Sequence, residues 1–178
     1  MGCVDLSEKS LEMFDERLQG ANNDKVLFSK ACCASELEWV DSDSADTILR
    51  MGPMYHIIYN VKRKSVVSHC HRIIKNGGYL ISMFLSPYPA LMQQNIDESI
   101  LWDISAKNNC LITTTSFKGF RVPQYRCWPK NAISEFQHFF SEKDFIHVDE
   151  IEHPIHSDIT EIKDNCSHQY FVVFKKEN

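Results

Sequence analysis

Apolar residues along the chain fall into two patterns, a helical spacing of three and four positions and short unbroken runs. Leu11, Phe14 and Leu18 repeat at helical spacing behind Ser7, a residue suited to an N-cap, with Glu8 in the first turn. That spacing predicts a helix from Ser7 to about Arg17 or Leu18, broken by Gly20 and Asn22-Asn23-Asp24. Val66, Cys70, Ile73 and Ile74 mark an inward stripe on a second helix over roughly Asn60 to Lys75. Asn76-Gly77-Gly78 would close it, since a residue with positive φ is favoured after a helix end. Pro129 suits a first helical turn, and Ile133, Phe136 and Phe140 carry that helix onward. Residues 86–108, opening on Ser86-Pro87-Tyr88-Pro89, read as amphipathic and helical.

Tyr79 to Leu85 is a continuous apolar run, as expected of a central strand covered on both faces. Asp46 to Met51 reads as a buried strand that Gly52-Pro53 ends. Lys25 to Lys30 is a short strand centred on Val26, Leu27 and Phe28, followed by a polar, acidic stretch from Ser35 to Asp43. Leu111 to Thr115 and Phe120 to Tyr125 pair across Lys118-Gly119. Two last strands lie near Ile146–Ile151 and Tyr170–Phe174, and residues 2–5 read as the end of a strand with Asp5 at its tip. Strands alternating with helices, then a strand-rich end, predict an α/β open sheet. No internal repeat or low-complexity linker divides the chain.

Composition narrows the function classes. A length of 178 residues fits one domain with a sizeable core, and 43% apolar with 24% charged residues is ordinary for a globular protein. A net charge of -5 without a basic stripe speaks against nucleic acid as a partner. No apolar run reaches the roughly 18 residues of a membrane span, and no secretory signal precedes the fold, so no membrane partner is expected. The seven cysteines are odd in number and scattered singly apart from Cys32-Cys33. They form no disulfide framework and point to a reducing, cytoplasmic location. Met1-Gly2-Cys3 would begin an acylation signal, but Leu6 stands where that pattern wants Ser or Thr.

No metal site is expected. His69 and His71 are two apart on a helix and point to different sides, and His147, His153 and His156 lack a cysteine pair or carboxylate at zinc spacing. Phe136, Phe139, Phe140 and Phe145 read as core, Lys62-Arg63-Lys64 as a solvated helix face, and Cys32-Cys33 as buried packing. By spacing alone, Asp5 is either a strand-end acid favoured by the helix dipole or an acceptor for ribose hydroxyls.

Read together, the segments Val4-Asp5-Leu6-Ser7-Glu8-Lys9-Ser10-Leu11-Glu12, Ser44-Ala45-Asp46 and Met51-Gly52-Pro53-Met54-Tyr55-His56 resemble the S-adenosylmethionine-dependent methyltransferases of the Rossmann-like class. His71-Arg72-Ile73-Ile74-Lys75-Asn76-Gly77-Gly78-Tyr79-Leu80 is similar to that family's turn into its fifth strand. Trp128-Pro129, Phe140 and Lys143-Asp144-Phe145 are similar to its late helix and the turn that follows. The resemblance covers nearly the whole chain from the family's second strand onward. It implies a single domain over 1–178, with 86–108 a lid or insertion. The sheet would be open and mostly parallel, with helices on both faces and an antiparallel C-terminal strand. The cofactor implied is S-adenosylmethionine. Asp5 matches the acid that accepts from both ribose hydroxyls, and Leu6 would lie against the adenine. Where the family usually has an acid for the adenine amino group, this chain has Ala31-Cys32-Cys33-Ala34, so Cys32 and Cys33 take that place with weak thiol donors. Met51 and Gly52 match the strand tip that holds the methionine part and the acceptor. His56 follows as general base, or as a loop cap in a half-buried niche; Tyr55 orients an amine or walls the pocket, and Tyr88 belongs to a lid.

The departures carry as much weight. The family's first strand and glycine-rich loop have no counterpart here, and the six glycines include no G-x-G pair. The resemblance therefore implies an N-terminally truncated domain. Because the absent strand lies between the second and fourth, two rows of backbone donors and acceptors should lack partners. Two functions follow as expectations: methyl transfer to a small-molecule acceptor, or a non-catalytic chain acting as fragment, partner or homodimer, or completed by a missing N-terminal segment.

Overall fold

A computed structural model describes residues 1–18, 25–87, 110–117, 119–139, 145–153 and 169–177. The chain forms two compact units, Met1–Asp41 and Ser42–Asn178. The expected lid over 86–108, with Tyr88, lies outside the described residues from 88 onward, as do Phe140, Lys143-Asp144 and His156.

In the first unit, strand β1 (Gly2–Asp5) runs into helix α1 (Glu8–Leu18), and β2 (Phe28–Ala31) follows. Ser7 caps α1 as its residue type predicts, its hydroxyl accepting the Ser10 amide at 3.2 Å. The second strand sits later than Lys25–Lys30, because its parallel register runs from Gly2↔Phe28 to Asp5↔Ala31. A Cβ on Gly2 would overlap the Phe28 ring, so the glycine is what lets that ring cross β1. Trp39 meets Phe28 edge-on at 5.0 Å, with the Lys30 ammonium 4.1 Å from its ring centre.

Among the described residues, the second unit has a six-stranded sheet and three helices. Its elements are β3 (Ala45–Arg50), α2 (Pro53–His56), α3 (Asn60–Ile73), β4 (Ile74–Leu85), β5 (Cys110–Phe117), β6 (Phe120–Cys127), α4 (Pro129–Phe139), β7 (Phe145–His153) and β8 (Gln169–Lys176). Strand β4 is its axis. Antiparallel β8 covers one edge of β4 from Tyr79↔Lys175 to Leu85↔Gln169. Parallel β3 takes the other edge up to Arg50↔Ser82, and β6 joins beyond it at Leu85↔Arg126. The β5–β6 hairpin turns at Gly119, whose φ of 82° requires glycine, and β7 closes the far side on β8. The pairing is that of the expected α/β class: parallel at β1–β2 in the first unit's two-stranded sheet and at β3–β4 and β4–β6 in the second unit's sheet, with β8 an antiparallel C-terminal strand.

Alternation in β8 buries Tyr170, Val172, Phe174 and Lys176. Phe174 stacks on Phe136 at 4.2 Å, and Tyr170 on Phe84 at 5.7 Å, so α4 and the two central strands share one aromatic core. Lys176 is buried at the strand end because it caps α3. Its ammonium donates to the carbonyls of His71 and Ile74 and to the Asp43 carboxylate at 2.7–3.0 Å. Asn76-Gly77-Gly78 does not close that helix as expected. Ile74 is already extended, and the glycines lie within β4, where Gly77 has a φ of 78° and a Cβ on Gly78 would meet the Asp46 carbonyl.

Arg63 corrects another expectation. It is buried rather than solvated, since Arg63, Val66, Val67 and Cys70 form one inward stripe of α3 while Lys62 and Lys64 remain exposed. Its Nε donates to Glu135 Oε1 at 2.6 Å, Nη1 donates to the Ile57 and Ile58 carbonyls, and the guanidinium lies 3.8 Å from the Tyr125 ring centre. The Tyr125 hydroxyl donates to Glu135 Oε2 at 3.2 Å, so both carboxylate oxygens are used. Removing one partner of such a pair leaves a bare buried charge. Glu135→Ala is therefore expected to destabilise the fold by about 3–5 kcal/mol in urea unfolding, whereas Arg63→Met with Glu135→Leu together should cost far less.

Candidate functional site

The carboxyl ends of β1 and β2 lie side by side because the two strands are parallel, with Asp5 opposite Ala31. Ligands of open α/β sheets bind at such ends. The exposed Asp5 carboxylate is oriented locally, its Oδ1 accepting the Ser7 amide at 2.8 Å. Leu6, next in the chain, is 77% exposed, an apolar surface beside the acid. The Cys32 amide donates to the Asp5 carbonyl at 3.0 Å, which brings Cys32 and Cys33 to the same tip. Both cysteines are half-buried rather than packed in a core, and Cys33 Sγ lies 3.0 Å from Ser35 Oγ. Burial, with Asp5 and Asp15 nearby, pushes the Cys3 thiol up, so it stays protonated at neutral pH. An acid, an exposed apolar side chain and two weak thiol donors fit an adenosine. No described residue offers a glycine-rich loop for the rest of such a cofactor.

A second group forms at the carboxyl end of β3. Met51 is 48% exposed, and Gly52 leads into α2, a single turn with Pro53 in its first positions. Fully buried Met54 anchors this turn. Gly52 is a close neighbour of the Tyr55 hydroxyl, since a Cβ there would lie 3.7 Å from it. The Tyr55 and His56 rings are tilted at 55° with centres 4.4 Å apart. Burial raises the Tyr55 phenol and lowers the His56 imidazole from their ordinary values, so both rings are neutral at pH 7. A neutral imidazole on a strand tip can accept a proton, and a neutral phenol can donate a hydrogen bond.

The structure thus assembles the sequence-predicted residues into two groups. Asp5, Leu6, Cys32 and Cys33 belong to the first unit, while Met51, Gly52, Tyr55 and His56 belong to the second. The turn α2 that presents Tyr55 and His56 was not anticipated, though Gly52-Pro53 was its signal. Arg50 was also missed: a lone charge inside Ile48-Leu49-Arg50-Met51, buried at the end of β3. Among the described residues, no three His, Cys, Asp or Glu side chains gather as metal ligands, and no helix is long and apolar enough to cross a membrane.

Comparisons with known proteins bear on the fold. No protein-family profile matches the chain. The uncharacterised protein YOR296W of Saccharomyces cerevisiae is 22% identical over 198 aligned positions, 94% of this chain, which spans 15% of that protein's length. A Listeria monocytogenes structure assigned as an S-adenosylmethionine-dependent methyltransferase superposes with a TM-score of 0.71 at 16% identity, over 99% of this chain and 79% of its own. A Clostridium acetobutylicum S-adenosylmethionine-dependent methyltransferase gives 0.64 at 13% identity, over 99% and 75%. The Burkholderia thailandensis 1,6-didemethyltoxoflavin-N1-methyltransferase, solved with bound 1,6-didemethyltoxoflavin and S-adenosylhomocysteine, gives 0.63 at 14% identity, over 99% and 61%. The strand and helix order found here is therefore the Rossmann-like fold of the S-adenosylmethionine-dependent methyltransferases.

Proposed function

We propose that the chain is part of a cytoplasmic, S-adenosylmethionine-dependent methyltransferase domain acting on a small-molecule acceptor. The observation that carries this reading is Asp5, an exposed carboxylate held by the Ser7 amide at the joined ends of two parallel strands, with Leu6 exposed beside it. Asp5 accepts from the ribose hydroxyls, Leu6 lies against the adenine, and Cys32 and Cys33 line its edge. When bound, the cofactor supplies an electrophilic methyl group. Met51 and Gly52 border the acceptor, Tyr55 orients it through its hydroxyl, and His56 takes the proton that the acceptor loses. The acidic charge of -5 favours a small molecule over nucleic acid.

The pairing of β1 with β2 alone, and of β3 with β4 alone, supports a second reading. Each leaves one edge without a strand partner among the described residues. Unpaired backbone groups cost about 1–3 kcal/mol each where they are buried from water, and β1 and β3 carry both exposed and half-buried positions along their length. On this reading the chain is non-catalytic by itself and works as a fragment, a partner or a homodimer.

Calorimetry with S-adenosylhomocysteine separates the two. Binding is expected, weakened at least about tenfold by Asp5→Ala, the loss of hydrogen bonds to a charged acceptor. No heat from the folded chain would leave the second reading. The state of His56 is checked by NMR titration of its ring protons, with a midpoint expected below 6.5. Its folded pKa lies below the unfolded one, so its contribution to stability is full above the unfolded value and is lost as pH falls through the folded value. His56→Asn should flatten that part of the stability profile.

A further inference from the structure

Arg50, the last residue of β3, is buried to 4% exposure, and among the described residues none of its three guanidinium nitrogens has a hydrogen-bond partner. Burial pulls its pKa down to about 10, so it is charged at neutral pH. The Phe136 and Phe84 ring centres lie 4.9 and 5.7 Å from the guanidinium carbon; they attract the cation but accept no conventional hydrogen bond. Ser82 stands beside Arg50 in the parallel register of β4, on a strand about 4.8 Å away, so the two side chains share one face of the sheet. The Ser82 hydroxyl is also buried without a partner. The two groups therefore do not satisfy each other, and one acceptor lying between them would serve both.

The charges around Arg50 decide what kind of acceptor fits. The Cys70 thiol and the Glu135 carboxylate are close enough to act on it electrostatically. Glu135 gives one oxygen to the Arg63 guanidinium and the other to the Tyr125 hydroxyl, so its charge balances Arg63. Burial pushes the Cys70 thiol up, so it stays protonated and brings no negative charge. One positive charge is left over in a place shielded from water, an unfavourable state for a fold. A bridging water would accept the N–H groups but leave the charge, and a dianion would reverse it. A monoanion does both tasks. Among monoanions a carboxylate matches best, because its two oxygens accept parallel N–H bonds from the guanidinium fork and keep lone pairs for Ser82.

We propose that Arg50 and Ser82 form a buried binding site for a small monocarboxylate, held by two guanidinium N–H groups and the serine hydroxyl. The Phe84 and Phe136 rings wall the guanidinium, and the near-complete burial of both polar residues restricts the ligand to a small one. Half-exposed Met51 and Gly52 follow Arg50 directly, so the tip of β3 is the nearest surface along the chain. One ligand then satisfies the cation and the hydroxyl together, with side chains of β3 and β4 alone. The inference goes beyond methyl transfer and does not depend on it.

Formate is the probe, because at pH 7 it is a monocarboxylate with no other functional group. Thermal unfolding of the 178-residue chain is followed in sodium formate, sodium chloride and sodium sulfate at matched ionic strength, with formate binding read from the broadening of its proton line in NMR. Formate is expected to raise Tm saturably, and to bind at least about tenfold more tightly than chloride or sulfate. Ser82→Ala removes one hydrogen bond to the anion and should weaken formate about tenfold. Arg50→Met should abolish the response and raise the Tm of the chain without formate, since an apolar side chain replaces an unpaired buried charge. If Arg50→Met does not fold, the affinity of Ser82→Ala decides. No response to formate by the folded chain, an equal response to chloride or sulfate, or a response that neither variant changes overturns the proposal. Binding of S-adenosylhomocysteine to the same sample is read separately by calorimetry, and its failure leaves the formate result intact.

Discussion

A buried strand must satisfy its backbone on both edges, and β4 is the strand on which this protein meets that demand. β8 lies along one edge, and β3 followed by β6 shares the other. The large unit is organised around that axis. Phe84 projects from β4 to meet Phe136 and Tyr170, and Phe174 stacks on Phe136 from β8. The carboxyl end of β3, held against β4, carries Met51 and Gly52 into the turn that presents Tyr55 and His56. The candidate site therefore rests on a strand that is paired on one side only among the described residues.

Buried cations show how differently the same cost is met. Lys176 finds two helix-end carbonyls and Asp43, and Arg63 finds Glu135, two carbonyls and the Tyr125 ring. Arg126 is met by neutral acceptors, with Nε on Thr113, Nη1 on the Ser86 carbonyl and Nη2 on Gln124. That arrangement ties the hairpin to the end of β4 and satisfies the guanidinium without a carboxylate. Among the described residues, Arg50 has neither kind of partner. Burial alone does not separate these residues; the supply of acceptors does.

The regular elements were legible because their signals are local. The alternation around Tyr170–Phe174, the apolar run Tyr79–Leu85 and the helical stripe from Val66 to Ile73 each need only neighbours in sequence. Arg63 reads as solvated in the sequence because its partner Glu135 lies 72 residues away, and a charge between two basic residues has no local sign of burial. Arg50 was invisible for a related reason: its burial comes from Phe84 and Phe136, which the fold brings over it. Asp5 was found because strand tip, acid and helix cap are contiguous. The half-burial of Cys32 and Cys33 is not legible in the sequence, because burial depends on packing distant along the chain.

The two groups of candidate site residues are each oriented by their own surroundings. Asp5 takes its orientation from the Ser7 amide two residues on and from the β1–β2 register. Tyr55 and His56 take theirs from a proline-started turn anchored by buried Met54. Each orientation comes from contacts close in sequence, which is why both strand tips could be read from short segments, whereas Arg50, whose surroundings come from Phe84 and Phe136, could not.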